Sequence, residues 1–326
     1  MRAVGLAAAL ALLAACQAGE AAPAPPVNTP AGPARETRDM PAKVNEPAAE
    51  APDADARAQQ PAALLPAAPS TFPGLELSGR FEQSGLVIGR TLPNAEIRLD
   101  EVALTADEDG WFVLGFDRDA AGVAQLRVQA PGFETQRSLV IEPRVYETRT
   151  VSGLPQSRVT PTDPEDLKRI AAEREVKNTA FSSIARQTGF RDAFVWPVSG
   201  RITSPWGAQR VLNGVKQQPH YGVDIGAPQG TTVRAPAGGV VVLAEADMFF
   251  EGGFVAIDHG QGLISMYLHM SRIDVRAGDV VAQGAELGAV GMRGRATGPH
   301  LCWRLRWRGR QLDPALLTQS PAPPPL

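Results

Sequence analysis

The chain has few cysteines, few aromatic side chains and no excess of positive charge. Its 326 residues include 2 cysteines and 6% aromatic residues, and the formal net charge is −3. Two cysteines allow one disulfide at most, so the fold cannot depend on a network of them. Because a nucleic-acid-binding protein is expected to carry clustered positive charge, we expect no nucleic-acid partner. The 32 glycines favour short strands and tight turns over long helices.

An apolar run near the N-terminus is too short to span a bilayer. It covers residues 4–15 and follows Arg2, which is the pattern of a secretory signal. The segment 13–16, Leu-Ala-Ala-Cys, resembles a bacterial lipoprotein cleavage box. The resemblance implies that residues 1–16 are a lipoprotein signal peptide and that the thiol of Cys16 carries lipid. The alternative is an ordinary signal peptide in which Cys16 has no role.

The residues after Cys16 indicate where an anchored protein would work. Gln17 stands where an aspartate would suggest inner-membrane retention, so we expect a periplasm-facing protein anchored in the outer membrane. Residues 17–70 are rich in Ala, Pro, Glu and Asp and show little apolar periodicity. Such a segment buries too little surface to offset its ordering entropy, which predicts a disordered tether.

The rest of the chain is predicted to be mostly β. Residues 71–146 contain short alternating runs separated by turn signals such as Pro131-Gly132, which predicts a small β-sandwich accessory domain. Residues 147–190 form a linker with a helix over 160–189, for which Asp163 is the expected N-cap and Gly189 the expected exit. The predicted apolar stripe of this helix consists of Leu167, Ile170, Phe181 and Ile184.

Strand patterns dominate again in residues 191–318, which predicts a last, mostly β domain. Its runs are short, apolar and punctuated by glycines, as in Val240-Val241-Val242-Leu243 and Leu301-Cys302-Trp303-Arg304-Leu305. The Pro-rich residues 319–326 are expected to be a frayed tail.

All four histidines lie between positions 220 and 300, which is the first sign of a functional site. His300 and Cys302 are two residues apart in a strand-like run, so strand alternation places both side chains on one face. Imidazole and thiolate are both good zinc ligands. His220 and Asp224 are four apart, but Gly222 between them argues for loop and strand, so their spacing alone does not prove that they converge.

Several motifs in the right order resemble the lysostaphin/LytM-type zinc metallopeptidases, over roughly residues 195–315. An H-x-x-x-D motif is followed by Y-x-H and by G-P-H-L-x. The matching segments are Val198-Ser199-Gly200-Arg201-Ile202-Thr203-Ser204, His220-Tyr221-Gly222-Val223-Asp224-Ile225, Arg276-Ala277-Gly278-Asp279-Val280-Val281, and Gly294-Arg295-Ala296-Thr297-Gly298-Pro299-His300-Leu301.

The resemblance implies a zinc-dependent endopeptidase that hydrolyses peptide cross-links of bacterial peptidoglycan. It also implies that residues 191–318 form an antiparallel β LytM-like domain with the site in a long groove. His220 and Asp224 would be zinc ligands, and the third ligand position of the family is occupied by Cys302. His300 would be a catalytic residue beside the metal, with His269 as its partner. One of these two histidines would take a proton from water and return it to the leaving amine. The expected partners are peptidoglycan and, through lipidated Cys16, a membrane.

The family has a histidine where this chain has Cys302, which leaves three alternatives. Cys302 ligates zinc, and the thiolate makes the centre more neutral than a second imidazole would. Alternatively, the metal site is lost, and the domain binds or activates other cell-wall hydrolases without catalysis. In the third alternative Cys302 is a small buried hydrophobe.

Two further groups of residues are weaker candidates. His259 lies in the turn signal Asp258-His259-Gly260, which favours a structural role. A basic neighbourhood surrounds the G-P-H-L-C segment and would either line the groove for peptidoglycan carboxylates or form solvated strand faces. Its members are Arg293, Arg295, Arg304, Arg306, Arg308 and Arg310.

Overall fold

A computed structural model describes the protein over residues 74–152 and 160–326. The predicted signal peptide, Cys16 and the tether 17–70 lie outside the described residues. Within the described part of the chain, no helix is both long and apolar enough to cross a membrane.

The accessory region consists of two antiparallel sheets packed around a common core. Its strands are β1 Leu75–Gly79, β2 Leu86–Thr91, β3 Glu96–Leu99, β4 Val102–Thr105, β5 Trp111–Gly115, β6 Val123–Ala130 and β7 Phe133–Val140. One sheet has the order β1-β2-β5 and the other β4-β3-β6-β7. Alternation of buried and exposed residues is clear in β6, where Leu126 and Val128 point inward. Gly132 has a φ of +75°, as the tight turn between β6 and β7 requires.

The connecting helix α1 spans Pro164–Phe181 and is shorter than predicted. Asp163 caps it as expected, because its side chain accepts hydrogen bonds from the amides of Glu165 and Asp166. The predicted exit at Gly189 is wrong. Ser183 and the amide of Ala185 instead donate to the carboxylate of Asp258, which holds the chain outside a helix.

The predicted apolar stripe does not form one buried face, because only Phe181 packs against a hydrophobic cluster and Ile184 lies beyond the helix. Leu167 is 47% exposed and Ile184 is 57% exposed. The helix attaches to the strand hairpin of residues 239–258 mainly through polar side chains. Arg169 donates to the backbone oxygen of Asp247, and Glu173 accepts from the amide of Phe249.

The C-terminal region is built on a large antiparallel sheet. The strands are β8 Thr148–Val151, β9 Arg201–Ser204, β10 Gln209–Leu212, β11 Val215–Lys216, β12 Val223–Gly226, β13 Thr232–Arg234, β14 Gly239–Met248, β15 Gly252–Asp258, β16 Leu263–Met270, β17 Arg272–Ile273, β18 Val280–Val281, β19 Glu286–Ala289, β20 His300–Trp307 and β21 Arg310–Leu312. The main path of the large sheet is β18-β14-β15-β16-β20-β12-β9, and β21 pairs with β20. A small sheet β13-β19-β17 lies apart from this path, and β10 pairs with β11 and with β8. Short 3₁₀ turns lie at Gly189–Arg191 and Pro314–Leu317.

The accessory region and the C-terminal region share one hydrophobic core. Gly115 of β5 faces Leu312, and a Cβ atom at position 115 would come within 2.9 Å of a Leu312 methyl carbon. Arg144 donates to the buried carboxylate of Asp313 over 2.8 Å. Over the described residues, the prediction of a mostly β fold with a connecting helix is confirmed.

The C-terminal tail is held against the fold, contrary to the expectation that it is frayed. The indole nitrogen of Trp196 donates to the backbone oxygen of Ser320, and the amide of Gly200 donates to the backbone oxygen of Pro324. Pro323 is buried. Composition alone could not predict this, because the partners of the tail lie more than a hundred residues upstream.

Candidate metal centre

The pairing of strands β12 and β20 brings two candidate ligands, Asp224 and Cys302, together. Strands β12 and β20 are antiparallel, with Asp224 directly opposite Cys302 and Gly226 opposite His300. Because side chains alternate along a strand, His300 and Cys302 share the face that Asp224 also occupies. Strand register therefore creates a convergence that the linear spacing could not establish.

His220 completes a cluster of three donor atoms. It precedes β12, and its amide donates to the backbone oxygen of Ala208 over 2.8 Å. Its Nε2 atom lies 3.1 Å from Oδ1 of Asp224 and 3.4 Å from Sγ of Cys302. All three donor atoms lie within 4.8 Å of one another, and all three residues are buried. Side chains that converge so closely inside a fold satisfy the first geometric requirement of a metal centre.

The carboxylate of Asp224 has one occupied oxygen and one free oxygen. Nη2 of Arg210 lies 3.1 Å from Oδ2 and donates to it. Oδ1 is buried and accepts no hydrogen bond from any residue that the structure describes. A buried oxygen without a donor carries a desolvation cost, which a bound cation would remove.

The charge states at neutral pH suit cation binding. Burial raises the pKa of the Asp224 carboxyl, but neighbouring His220, His300 and Arg210 outweigh burial and hold that pKa well below its ordinary value. Burial lowers the pKa of His220 to about 4, so its imidazole is neutral. Burial raises the pKa of the Cys302 thiol to about 12, while Arg304 acts in the opposite direction. A metal that binds here must therefore displace the thiol proton.

A nitrogen, an oxygen and a sulfur donor form a set that zinc accepts. Zinc binds imidazole, carboxylate and thiolate, and catalytic zinc sites have three protein ligands. The free Oδ1 of Asp224 lies close to both other donors. The residues present therefore fit a zinc ion, with the exchange of imidazole for thiolate at Cys302.

His269 and His300 stand beside this cluster with their tautomers determined by the backbone. Nδ1 of His269 lies 2.8 Å from the oxygen of Arg293, and Nδ1 of His300 lies 2.8 Å from the oxygen of Gly298. A carbonyl oxygen only accepts, so each Nδ1 carries the hydrogen and each Nε2 is free to accept a proton. The two ring centroids are 4.7 Å apart, and Nε2 of His300 lies 3.7 Å from Oδ1 of Asp224.

The backbone of His269 is unusual. Its φ is +69°, a left-handed conformation that is uncommon for a residue other than glycine. The His269 amide donates to the backbone oxygen of Glu251 over 2.7 Å, which helps to hold the conformation. Burial lowers the pKa of His269 to about 3, and the nearby His300 acts in the same direction.

Close packing around Cys302 explains the glycine in the H-x-G-x-D segment. A Cβ atom at Gly222 would lie 2.7 Å from Sγ of Cys302 and 2.9 Å from Cγ of Arg304. Nε of Arg304 lies 3.4 Å from the same sulfur and donates to it. Gly222 therefore leaves the space in which the sulfur and the arginine meet.

His259 lies outside the cluster. Its Nδ1 is 2.7 Å from the backbone oxygen of Gly238, and its Nε2 is 2.7 Å from the hydroxyl of Ser265. It is fully buried, and burial lowers its pKa to about 4. These contacts agree with the structural role that its turn sequence favours.

The basic neighbourhood does not act as one surface. Arg306 stacks on Phe181 of helix α1, Arg308 donates to the oxygen of Ala103, and Arg310 donates to the oxygen of Gly115. These three arginines join the C-terminal region to the helix and the accessory region, so they do not line the site.

Sequence reasoning did not find Arg210. It lies on β10, 14 residues before its partner Asp224, and no local motif points to it. From the sequence, Arg304 is placed only among the basic residues around the G-P-H-L-C segment. Strand alternation from Cys302 would have placed it on the site face, because the two residues are two apart.

Comparison with known proteins identifies related chains. Residues 218–314 match the model of Peptidase family M23. The peptidoglycan DD-endopeptidase ShyA of Vibrio cholerae is 39% identical over 114 residues, which are 35% of this chain and 26% of ShyA. The cell division protein DipM of Caulobacter vibrioides is 32% identical over 162 residues, which are 48% of this chain and 25% of DipM. The chain therefore spans about a quarter of the length of these curated relatives.

One solved structure covers most of the described fold. A crystal structure from Pseudomonas aeruginosa that is assigned to peptidase M23 is 30% identical, with a TM-score of 0.57. The alignment covers 73% of this chain and 95% of that chain. The similarity therefore extends beyond the segment that the family model matches.

Proposed function

The chain belongs to peptidase family M23, and from this premise we propose that it is a zinc-dependent endopeptidase of bacterial peptidoglycan. The observation that carries the proposal is the convergence of His220, Asp224 and Cys302 within 4.8 Å, with the free Oδ1 of Asp224 among them. His269 and His300 stand beside these residues with both Nε2 atoms available.

His220, Asp224 and Cys302 would hold the zinc ion. When bound, zinc acts as a Lewis acid that polarises a substrate carbonyl and lowers the pKa of a water molecule. Arg210 orients Asp224 through Oδ2 and leaves Oδ1 for the metal. This arrangement supports a working centre in which a thiolate replaces the family's second imidazole.

The two remaining histidines would move the proton. Nε2 of His269 or of His300 accepts a proton from the attacking water, and the same atom later gives it to the leaving amine. Their Nδ1 hydrogens stay on the carbonyl oxygens of Arg293 and Gly298, which keeps both rings oriented during the transfer. Cleavage of the peptide bond yields one carboxylate and one amine, so no nucleophilic side chain is required.

The substrate proposal rests on the relatives. ShyA is named a peptidoglycan DD-endopeptidase, and the Mpg protein of Neisseria meningitidis, 38% identical over 114 residues, is named a DD-carboxypeptidase/endopeptidase. We therefore propose that this chain hydrolyses peptide cross-links that involve D-amino acids.

We further propose a periplasm-facing location with a lipid anchor in the outer membrane. The support is the sequence of residues 1–16, the lipoprotein-like segment that ends at Cys16, and Gln17 after it. Metabolic labelling with a fatty acid would place lipid on the wild-type chain, and none on Cys16→Ser, if the anchor exists.

The test of function measures zinc content and muropeptide release on the same samples. The purified protein, prepared under reducing conditions, is compared with Cys302→Ser and Cys302→His. We expect one zinc per chain, loss of zinc in the serine variant, and release from purified peptidoglycan that stops on chelation. If the parent shows neither zinc nor release and the histidine variant gains both, the protein is a silenced enzyme that binds or activates other cell-wall hydrolases.

A further inference from the structure

We propose that Arg304 is a positioning residue that holds the Cys302 thiolate as a metal ligand and balances its additional negative charge. The inference rests on the proposed function, because it concerns the same zinc site. It adds a role for a residue that does not itself bind zinc.

The geometry places the guanidinium against the sulfur. Nε of Arg304 lies 3.4 Å from Sγ of Cys302 and donates to it. Both side chains lie on the site face of strand β20, two residues apart. Gly222 leaves the space for this contact, since a Cβ there would lie 2.9 Å from Cγ of Arg304. The backbone therefore permits this approach only with glycine at position 222.

Burial acts to lower the pKa of Arg304, whereas Cys302, Glu251 and Asp224, in that order, act to raise it. Across residues 74–152 and 160–326, no carboxylate forms a direct ion pair with Arg304, because Glu251 pairs with Lys177 and Asp224 with Arg210. By contrast, Arg306 stacks on Phe181 and Arg310 pairs with Glu101. A partly buried cation is stabilised by nearby anions, and a thiolate at Cys302 would be the anion in direct contact with Arg304.

The net charge of the three ligands explains why a cation beside Cys302 would support the zinc site. Asp224 and a thiolate together cancel the two positive charges of zinc, whereas Asp224 with two neutral imidazoles leaves one positive charge. A guanidinium bonded to the sulfur restores a positive charge next to the ligand that introduced the difference. Hydrogen bonds between charged groups are roughly twice as strong as neutral ones, so the contact also orients the sulfur.

Loss of Arg304 should affect zinc affinity differently in the parent protein and in Cys302→His. With Cys302 present, loss of Arg304 removes a hydrogen bond to a ligand, and loss of such outer-shell partners weakens metal affinity by about 10–100-fold. In Cys302→His, a zinc-bound imidazole offers no acceptor to the guanidinium. Arg304 then makes no hydrogen bond to a zinc ligand and interacts only with the nearby carboxylates of Glu251 and Asp224, so its removal should not weaken zinc binding.

The experiment measures zinc affinity of the full-length chain by competition with a chromophoric chelator. Arg304→Met and Arg304→Lys are made in the parent and in Cys302→His, and Arg306→Met is the matched control from the same strand. We expect about 10–100-fold weaker binding for Arg304→Met in the parent background and no loss of affinity in the Cys302→His background. Arg304→Lys should recover part of the affinity, and Arg306→Met should match the parent.

The absorption spectrum of the cobalt-substituted protein gives a second measurement, which would not change if Arg304 only stabilised the fold. The thiolate-to-cobalt charge-transfer band should shift to longer wavelength in Arg304→Met, because the sulfur lone pairs lose a stabilising cation. Arg304→Lys, which keeps the charge, should shift less. Thermal unfolding of the metal-free variants identifies any variant that fails to fold. If Arg304→Met does not fold, the zinc affinity and the cobalt spectrum of Arg304→Lys test the role of Arg304.

The outcomes separate the inference from the proposed function. Equal loss of affinity in both backgrounds, or no loss with Cys302, would overturn the role of Arg304 even if muropeptides are released. A parent that binds zinc with the expected dependence on Arg304 but releases no muropeptides would overturn only the proposed hydrolysis. Absence of zinc binding in every variant would overturn both.

Discussion

Two arginines from different strands each contact one candidate ligand of the metal centre. Arg210 of β10 holds Oδ2 of Asp224, and Arg304 of β20 donates to the sulfur of Cys302. The contacts orient the donor atoms and would offset the negative charge that both carry once the thiol proton is displaced by a metal. Two of the three candidate ligands are therefore supported by partners that come from separate strands.

His259 makes the stability of the fold depend on pH. Its folded-state pKa is about 4, below the ordinary value of 6.5, because burial disfavours the charged ring. Between those two pH values the unfolded chain binds a proton that the folded chain does not, so stability falls as pH falls. The full contribution of this residue across that window is about 3 kcal/mol.

The variant His259→Asn isolates this contribution. We expect it to be less stable than the parent at pH 7 by about 1–3 kcal/mol, since buried hydrogen bonds to Gly238 and Ser265 are weakened. Its stability should fall less than that of the parent between pH 7 and about pH 4.5, because asparagine does not titrate. The check is urea unfolding of both proteins across this range with a chelator present. Parallel pH profiles for the two proteins would contradict the assignment.

At the scale of elements, helix α1 is attached to the hairpin that supports the site. Arg169, Glu173 and Lys177 recur every four residues, so they share one face of the helix. They contact residues 247, 249 and 251 in turn. The hairpin matters to the site because the backbone oxygen of Glu251 accepts from the amide of His269.

Lys177→Met should loosen the hairpin near His269. The change leaves Glu251, which is 9% exposed, without its ammonium partner, and an unpaired charge of this kind costs about 1–3 kcal/mol. We expect faster hydrogen exchange at the His269 amide, measured by mass spectrometry. Adding Glu251→Gln to Lys177→Met should recover part of the protection of the His269 amide from exchange. Burial of a neutral amide costs less free energy than burial of an unpaired carboxylate.

The control for this prediction lies on the same helix. Arg174 is exposed, and its ion pair with Glu175 is on the surface, so Arg174→Met should leave exchange at His269 unchanged. Equal exchange in the parent and Lys177→Met would mean that the ion pair does not support the hairpin.

At the scale of the whole molecule, the accessory region and the C-terminal region are built as one unit. They share a hydrophobic core, and Tyr146 links them by bonding to Ser84 over 2.7 Å and by packing against Trp206. Because the core is shared, unfolding of either region would expose apolar side chains of the other. We therefore expect the two regions to unfold in a single transition.

Arg144→Met should lower the midpoint of that single transition. Asp313 is 4% exposed, and Arg144 is its guanidinium partner across 169 residues of sequence. Without that partner the buried carboxyl costs about 1–3 kcal/mol, which lowers the melting temperature by several degrees. Calorimetry of the full chain checks this, with Arg127→Met, an exposed ion pair on the accessory sheet, as control. Two separate transitions, only one of which responds, would contradict a shared core.

The sequence by itself determined the β class, the strand pattern and the candidate site residues. Alternation and turn signals suffice for strands, since each depends on residues close in the chain. The cap of helix α1 at Asp163 was predicted for the same reason. The resemblance to a metallopeptidase family pointed to a set of candidate residues in which Cys302 was identified as the departure from the family pattern. That set is His220, Asp224, His269, His300 and Cys302.

Only the tertiary structure decided which side chains meet. The register of β12 against β20 sets Asp224 opposite Cys302, and β10 brings Arg210 to the same carboxylate. The end of helix α1 depends on a distant carboxylate of the sheet, which holds the residues after the helix outside it. These contacts join residues far apart in the chain, and local propensity contains no information about such partners.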